Sequence, residues 1–302
     1  MRSIELNYAI KGDDVLIEPS WGWGLQSWFK IIAESHPYWV NAKRGWPPYP
    51  SITNYLNPFK KVRRISQAIP IHYGWDNYYH FHIDTLPVLL MTLESPYDKM
   101  TLVVPDKIRQ IAYVQSFLEA TGILNSKEII YQGRDEFIQI SQRAIFLKTD
   151  RSHTKSLKQY FNQPLFNIHL RPTPSTRIFV IRRQNRTATN LEELTTIAAN
   201  HNYLVIDPGS LGYLEQIALF RKSERIVGFH GAGLTNMLFS TIKNCNVLEI
   251  FPRNHIPGQY WLLSRQLDFK YSHLLGSSLD ETGNYQLDPE EFRISLERLE
   301  VD

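Results

Sequence analysis

With 302 residues, of which 43% are apolar, 13% aromatic and 21% charged, the chain has room for two domains and the composition of a folded protein rather than a disordered or collagen-like one. Its 33 basic and 30 acidic residues leave a net charge of only +3, too slight a balance for a main partner made of nucleic-acid phosphates. The single cysteine, Cys245, excludes an internal disulfide and a multi-thiolate zinc site, and points to a reducing, cytoplasmic setting.

The start, Met1-Arg2-Ser3-Ile4-Glu5-Leu6-Asn7, lacks the basic-then-apolar run of a signal peptide, and no uncharged apolar stretch approaches the roughly 20 residues needed to cross a bilayer. The run Lys60-Lys61-Val62-Arg63-Arg64 allows weak peripheral attraction to an anionic membrane face, although such a run is more often a solvated surface. Residues 1–70 carry Trp21, Trp23, Trp28, Tyr38, Trp39, Trp46 and the Pro47–Pro50 stretch with little periodicity, and read as turns and short elements. Amphipathic Trp and Tyr there could stack on sugar faces, but more often such residues are core.

A helix is predicted at Leu86–Leu93, a strand at Thr101–Pro105, a helix at Asp106–Thr121, and strands near Ile129–Tyr131 and Ala144–Lys148. The proline-bearing stretch Arg151–Thr176 reads as a linker, which sets an N-terminal domain at residues 1–165 and a C-terminal one at 166–302. Beyond it, strands at Arg177–Ile181, Tyr203–Ile206, Arg225–Gly228 and Asn246–Phe251 alternate with helices at Asn190–Ala199, Tyr213–Lys222 and after Gly233. That alternation predicts an α/β fold with right-handed crossovers and a parallel sheet. Ligands of such sheets bind beyond the carboxyl ends of the strands, so the loops after Ile181, Gly228 and Phe251 should share one crevice.

Three constellations can carry chemistry. The first is Asn77-Tyr78-Tyr79-His80-Phe81-His82-Ile83-Asp84, ahead of Pro87. With Asp84 or Thr85 as helix N-cap, backbone amides and an imidazole would converge where an anion or a reacting hydroxyl can be held. His80 and Asp84 suit proton transfer near neutral pH; the bland reading is a capping Asp with structural histidines. A metallic reading also stands: His80-x-His82-x-Asp84 resembles the zinc motif of metallo-β-lactamase-type hydrolases, which expects a further His where Thr85 lies.

The second constellation is Arg182-Arg183-Gln184-Asn185-Arg186, directly after a strand. Guanidiniums are permanently charged bidentate donors, so Arg182, Arg183 and Arg186 suit a diphosphate as well as a solvated basic turn. The third is Gly228-Phe229-His230-Gly231-Ala232-Gly233-Leu234-Thr235-Asn236, in which small residues let backbone amides approach a phosphate at a helix start. It is neither a dinucleotide fingerprint nor a Walker loop, and no Gly-x-Ser-x-Gly accompanies it to make a lipase. Glu249, a charge inside an apolar strand, needs a partner: a ribose diol or a buried Arg.

Taken together, Asn77-Tyr78-Tyr79-His80 with Asp84, the Arg182/Arg183/Arg186 cluster followed by Asn190-Leu191-Glu192-Glu193-Leu194, Glu215-Gln216, and His230-Gly231-Ala232-Gly233-Leu234-Thr235-Asn236 with Glu249 resemble glycosyltransferase family 61, over about Asn77 to Pro252. Phe81 stands where that family frequently has tryptophan, and His82 where an apolar residue is usual. The resemblance implies a GT-B architecture of two Rossmann-like domains facing a cleft, with the nucleotide sugar on the C-terminal domain and the acceptor largely on the N-terminal one. It further implies an inverting transferase working without a metal held by Asp-x-Asp, a motif this sequence lacks. The leaving diphosphate would then be neutralised by cationic side chains and helix amides.

On that resemblance, Asp84 or His80 serves as base, with His230 also at the catalytic centre. The donor, a nucleoside-diphosphate sugar read as UDP-linked by analogy, is held by Arg182, Arg183, Arg186, Asn190, His230, Gly231, Ala232, Gly233, Leu234, Thr235, Asn236 and Glu249, with no metal or other cofactor. The acceptor would be a glycan or lipid-linked glycan in capsule, exopolysaccharide or lipopolysaccharide synthesis. The rival classes are a zinc hydrolase built on His80, His82 and Asp84, and a non-catalytic glycan-binding protein.

Overall fold

A computed structural model describes residues 14–26, 30–32, 35, 56, 57, 59–147, 157 and 176–301. The chain forms two compact units, Met1–His153 and Thr154–Asp302. The expected division between residues 165 and 166 lies outside the described residues, as do most of the expected linker and Trp28, Tyr38, Trp39 and Trp46.

In the N-terminal unit, β1 (Val15–Ile17), β2 (Gly24–Gln26), β3 (Lys30–Ile31), β4 (Lys61–Pro70), β5 (Thr101–Pro105), β6 (Ile129–Gln132) and β7 (Glu136–Ala144) make one sheet in the order β3-β2-β1-β7-β4-β5-β6. The pairs β7/β4, β4/β5 and β5/β6 are parallel, while β1 runs antiparallel to both β2 and β7. Strands of two or three residues carry no readable period, which is why β1 to β3 escape a sequence reading. Between β1 and β2 the fully buried Glu18 carboxylate accepts from the amides of Ser20, Trp21 and Trp23 at 2.8, 2.6 and 3.2 Å. Those bonds are what make a buried charge tolerable in so short a turn.

The basic run falls at the start of β4, where Arg63 meets Glu136 at 2.9 Å and Arg64 meets Gln139 at 3.0 Å across the exposed part of the ladder. The strand expected at Ala144–Lys148 is in fact the end of β7, whose register with β4 stops at Ala68↔Ala144. Beyond it the Ile145 amide still donates to the Ala68 carbonyl at 3.1 Å, and Ile145, Phe146 and Leu147 are buried outside the strand ladder. The helical elements of this unit include α1 (Tyr78–His80), α2 (Leu86–Met91), α3 (Ala112–Thr121) and α4 (Ile123–Ser126). Gly122, left-handed at φ 67°, ends α3, the conformation glycine adopts most readily at a helix terminus.

The C-terminal unit follows the predicted rhythm: β8 (Arg177–Val180), α5 (Leu191–Asn200), β9 (Leu204–Ile206), α6 (Tyr213–Arg221), β10 (Arg225–Phe229), a 3₁₀ run at Ala232–Phe239, β11 (Asn246–Phe251), α7 (Gln259–Gln266), β12 (Lys270–Leu275) and α8 (Pro289–Val301). The sheet order is β12-β11-β10-β8-β9 and every pairing is parallel. All six residues of β11 are buried, as a strand covered on both faces requires. Phe179, Phe229, Leu194, Ala198, Phe292 and Leu296 belong to one apolar cluster, which joins the sheet to α5 and α8. From β8 the chain builds outward to β9, then returns past β8 to β10. The switch in direction therefore lies between β8 and β10, where open sheets of this kind hold their ligands.

Candidate active site

Around His80 the local sequence builds a helix with an irregular middle. Asn77 is its N-cap, its Oδ1 accepting from the His80 amide at 3.1 Å. The expected cap at Asp84 or Thr85 is corrected: both lie inside the helical run, in a π-helical turn, Phe81–Thr85, between α1 and α2. Amides of a helix start therefore do not converge on Asp84. The wide turn comes immediately before Pro87, whose ring would otherwise press on the carbonyl four residues back. Gly74, at φ 81°, lets the preceding segment come close; a Cβ there would sit 2.4 Å from Thr85 Oγ1.

This helix brings together two of the singled-out side chains and separates the third. His80 Nδ1 lies 2.6 Å from Asp84 Oδ2 and 3.1 Å from the Tyr73 hydroxyl, and the pair is partly exposed. With Nδ1 directed at the carboxylate, Nε2 is the nitrogen left to accept a proton. His82 is fully buried, with Nδ1 2.7 Å from the Tyr78 carbonyl oxygen, and burial pushes its pKa down to about 4. His80, His82 and Asp84 thus form no ligand set, and among the described residues no three His, Cys, Asp or Glu side chains gather so as to hold a metal ion.

In the C-terminal unit the Arg loop and the glycine-rich turn meet across the switch point. Arg182 donates from Nη1 to the His230 carbonyl at 3.0 Å and from Nε to the Gln184 carbonyl at 2.7 Å. Burial first, and the charge of Arg186 second, lower its pKa from the usual value. A Cβ at Gly231 would stand 2.6 Å from Arg182 Nη1, so only glycine leaves the guanidinium its place. His230 Nδ1 lies 2.6 Å from Glu249 Oε1, and the ring stacks on Phe251 at 5.3 Å. The other carboxylate oxygen, Oε2, accepts from the Tyr271 hydroxyl at 2.7 Å. Burial and the Glu249 charge drive the Tyr271 pKa well above its ordinary value. Among side chains, the buried charge has therefore found an imidazole and a phenol rather than the Arg considered from sequence.

Residues 78–248, more than half of the chain, match the family Glycosyltransferase 61. The chain belongs to that family. No individually curated protein matches it. The α/β fold, with one mixed and one parallel sheet, is consistent with a GT-B-like glycosyltransferase, and the chain is accordingly an enzyme that transfers a sugar from a donor to a glycan acceptor. Family membership sets aside the hydrolase and the non-catalytic binder.

The remaining candidate residues of this glycosyltransferase divide into those at the strand ends and those that hold the frame. Thr235 and Asn236 are fully buried: Thr235 Oγ1 lies 3.1 Å from the Tyr260 hydroxyl, and Asn236 Nδ2 donates to Gln216 Oε1 at 2.9 Å. Leu234 is core, Gly233 lies against Val180 and Pro208, and Ala232 is exposed. The helix expected after Gly233 is a 3₁₀ run instead. Asn190 ties the start of α5 to the backbone of Leu287, donating to its carbonyl at 2.9 Å and accepting from its amide at 3.3 Å. Arg183 points outward, two-thirds exposed, with Nε 3.5 Å from Asp207. Arg186 and Asn185 are both left-handed, at φ 56° and 50°, and Arg186 Nη1 contacts His255 Nε2.

The sequence reading missed Tyr73, Tyr271 and His255. The first two stand outside any motif. A signal for His255 was present: the loop after Phe251 was expected at the crevice, yet no residue was taken from it.

Proposed function

We propose that this glycosyltransferase is inverting and metal-independent, taking a nucleoside-diphosphate sugar, most simply a UDP-sugar, and transferring the sugar to a hydroxyl of a glycan or lipid-linked glycan acceptor. The observation that carries this reading is the Arg182 to His230 bridge at the β8/β10 switch point, backed by the buried Glu249. It supplies fixed positive charge and oriented donors where an open parallel sheet binds phosphate groups. Arg182 and Arg186 would stabilise the departing diphosphate. His230, with Nδ1 committed to Glu249, would present Nε2 to it.

For the nucleophile, the His80–Asp84 pair of the N-terminal unit supports single displacement. His80 Nε2 accepts the acceptor's hydroxyl proton, the oxygen forms its bond to the anomeric carbon, and the bond from that carbon to the diphosphate oxygen breaks with inversion. Asp84 orients the ring and stabilises the imidazolium, the division of labour seen wherever a carboxylate backs a histidine base. We further assign the activity to cytoplasmic assembly of a capsular, extracellular or lipopolysaccharide glycan, with weak attraction of the basic start of β4 to an anionic membrane face. Among the described residues no helix is long and apolar enough to cross a membrane.

The test is release of the nucleoside diphosphate from a panel of nucleotide sugars, with and without chelator, for the wild type and Arg182→Ala. Chelator-insensitive release from a UDP-sugar, lowered roughly 10²- to 10³-fold by the substitution, is the expected result. Unchanged turnover in Arg182→Ala overturns the role of the Arg loop, and loss of wild-type activity with chelator overturns metal independence.

A further inference from the structure

Three loops come into contact at the carboxyl edge of the parallel sheet, and the third brings a histidine that lies beyond the family match. His255 sits in the loop after β11, its amide donating to the Pro252 carbonyl at 3.0 Å. Its ring meets His230 edge-on at 5.8 Å between centroids, and its Nε2 faces Arg186 Nη1. A guanidinium can only donate, so in this contact the imidazole must accept: His255 is neutral here, with its proton on Nδ1. Burial first, then the charges of Arg186, His230 and Arg182, lower its pKa from the ordinary histidine value.

Arg186 is placed there deliberately by the backbone. A non-glycine residue at φ 56°, following another at φ 50°, persists only when its surroundings hold it, and the Arg186 amide is pinned to the Gly283 carbonyl at 2.9 Å. One side chain nearby is unsatisfied. Tyr285 is 1% exposed, and its hydroxyl is buried without a hydrogen-bond partner. Burial above all, with the Glu249 charge, raises its pKa above the ordinary phenol value, against the opposing pull of Arg182 and Arg186. Two guanidiniums and two imidazoles thus share this corner, and Glu249 is already committed to His230 and Tyr271. A buried donor left unpaired beside unneutralised cations fits an oxygen-rich anion as the missing partner.

We propose that Arg186 and His255 form one half of a diphosphate subsite, in which Arg186 turns from the imidazole to a phosphate oxygen and His255 takes up a proton from solvent and donates to the same anion. The proposal rests on the donor-nucleotide reading above and adds to it a residue and a proton. The titratable and charged groups around His255 are Arg182 and Arg186 from the loop after β8 and His230 just past β10, with Glu249 of β11 behind His230. All but the last oppose a charge on the empty imidazole, and an arriving diphosphate reverses that balance.

The experiment is calorimetric titration of the full-length protein with UDP near neutral pH in two non-phosphate buffers of different ionisation enthalpy, for the wild type and His255→Gln. Protons exchanged by UDP itself are common to both proteins and cancel in the difference. The expected result is that the wild type takes up more protons than the variant, by up to one per UDP bound. Its affinity advantage should also shrink from several-fold or more at about pH 6.5 towards none at about pH 8.5. As a second readout, the His255 ring resonances should show the imidazole titrating at higher pH once UDP is bound. Equal proton uptake by the two proteins, with UDP bound by both, overturns the proposal and leaves the donor reading standing. No binding of UDP or any other nucleoside diphosphate by the wild type overturns both.

Discussion

The two units each contain a histidine whose Nδ1 lies 2.6 Å from a carboxylate oxygen, yet the two pairs differ sharply in burial. His80 and Asp84 are four residues apart on one helix, with side chains 26% and 18% exposed. His230 follows the end of β10 and Glu249 lies within the neighbouring β11, with side chains 6% and 0% exposed, and the carboxylate is held a second time by Tyr271. An accessible pair can exchange a proton with an incoming hydroxyl and then with water. A sealed pair is poorly placed to pass a proton on, but it fixes a ring rigidly, which is what a preorganised donor to developing charge requires. Burial, rather than composition, separates the proposed base from the proposed brace.

The comparison breaks most sharply under removal of each carboxylate. Asp84→Asn, which takes from the proposed base His80 the carboxylate that orients its ring and stabilises its imidazolium, should reduce turnover by roughly 10²- to 10⁴-fold, while changing stability by less than about 1 kcal/mol, since the pair is partly exposed. Glu249→Ala should do the reverse in stability, lowering it by about 3–5 kcal/mol, because the buried His230 and the part-buried Tyr271 lose their shared partner. Urea unfolding alongside steady-state turnover separates the two. Similar stability losses in both variants would mean that burial does not divide the pairs.

A second histidine of the same helix sharpens the picture through pH. His82 is held neutral by burial, with a folded pKa of about 4 against an ordinary 6.5. Its contribution to stability is therefore complete above about pH 6.5. It is lost progressively as the pH falls from there through about 4, and amounts to roughly 3 kcal/mol over the whole window. His82→Gln, which cannot charge, should flatten that part of the stability profile of the N-terminal unit. An unchanged slope between about pH 6.5 and 4 would show that acid sensitivity arises elsewhere.

How much of this was legible in the sequence follows from the range of the forces involved. The rhythm from β8 to β11 was readable, because α5 and α6 are long enough to show a helical period and even the three-residue β9 is marked by standing between them. The need of Glu249 for a partner was readable from one charge in an apolar strand. The identity of the partner was not, because His230 is 19 residues away and Tyr271 a further strand over. On the other unit, Pro87 drew the expected helix start to Asp84 or Thr85, since proline favours a first turn. The π-helical turn, which lets the helix begin at Tyr78 instead, changes hydrogen-bond spacing without leaving a mark on composition. Strands β1 to β3 were too short to read, and their order in the sheet depends on contacts with β7, more than 100 positions along the chain.

The smallest effect concerns neighbours that the sequence could not tell apart. Arg182 and Arg183 follow β8 in tandem, in the loop beyond Val180. Arg182 is drawn onto the His230 carbonyl, whereas Arg183 is 67% exposed and only 3.5 Å from Asp207. A charge that loose in solvent is worth about 1 kcal/mol or less, so Arg183→Ala should change kcat/KM for the nucleotide sugar by no more than about fivefold, and the residual effect should fade at high salt as screening shortens its reach. If Arg183→Ala instead matched the loss expected of Arg182→Ala, the diphosphate would have to lie on the outer side of the loop. The glycine at position 231, which yields its space to Arg182, would then have no part in binding it.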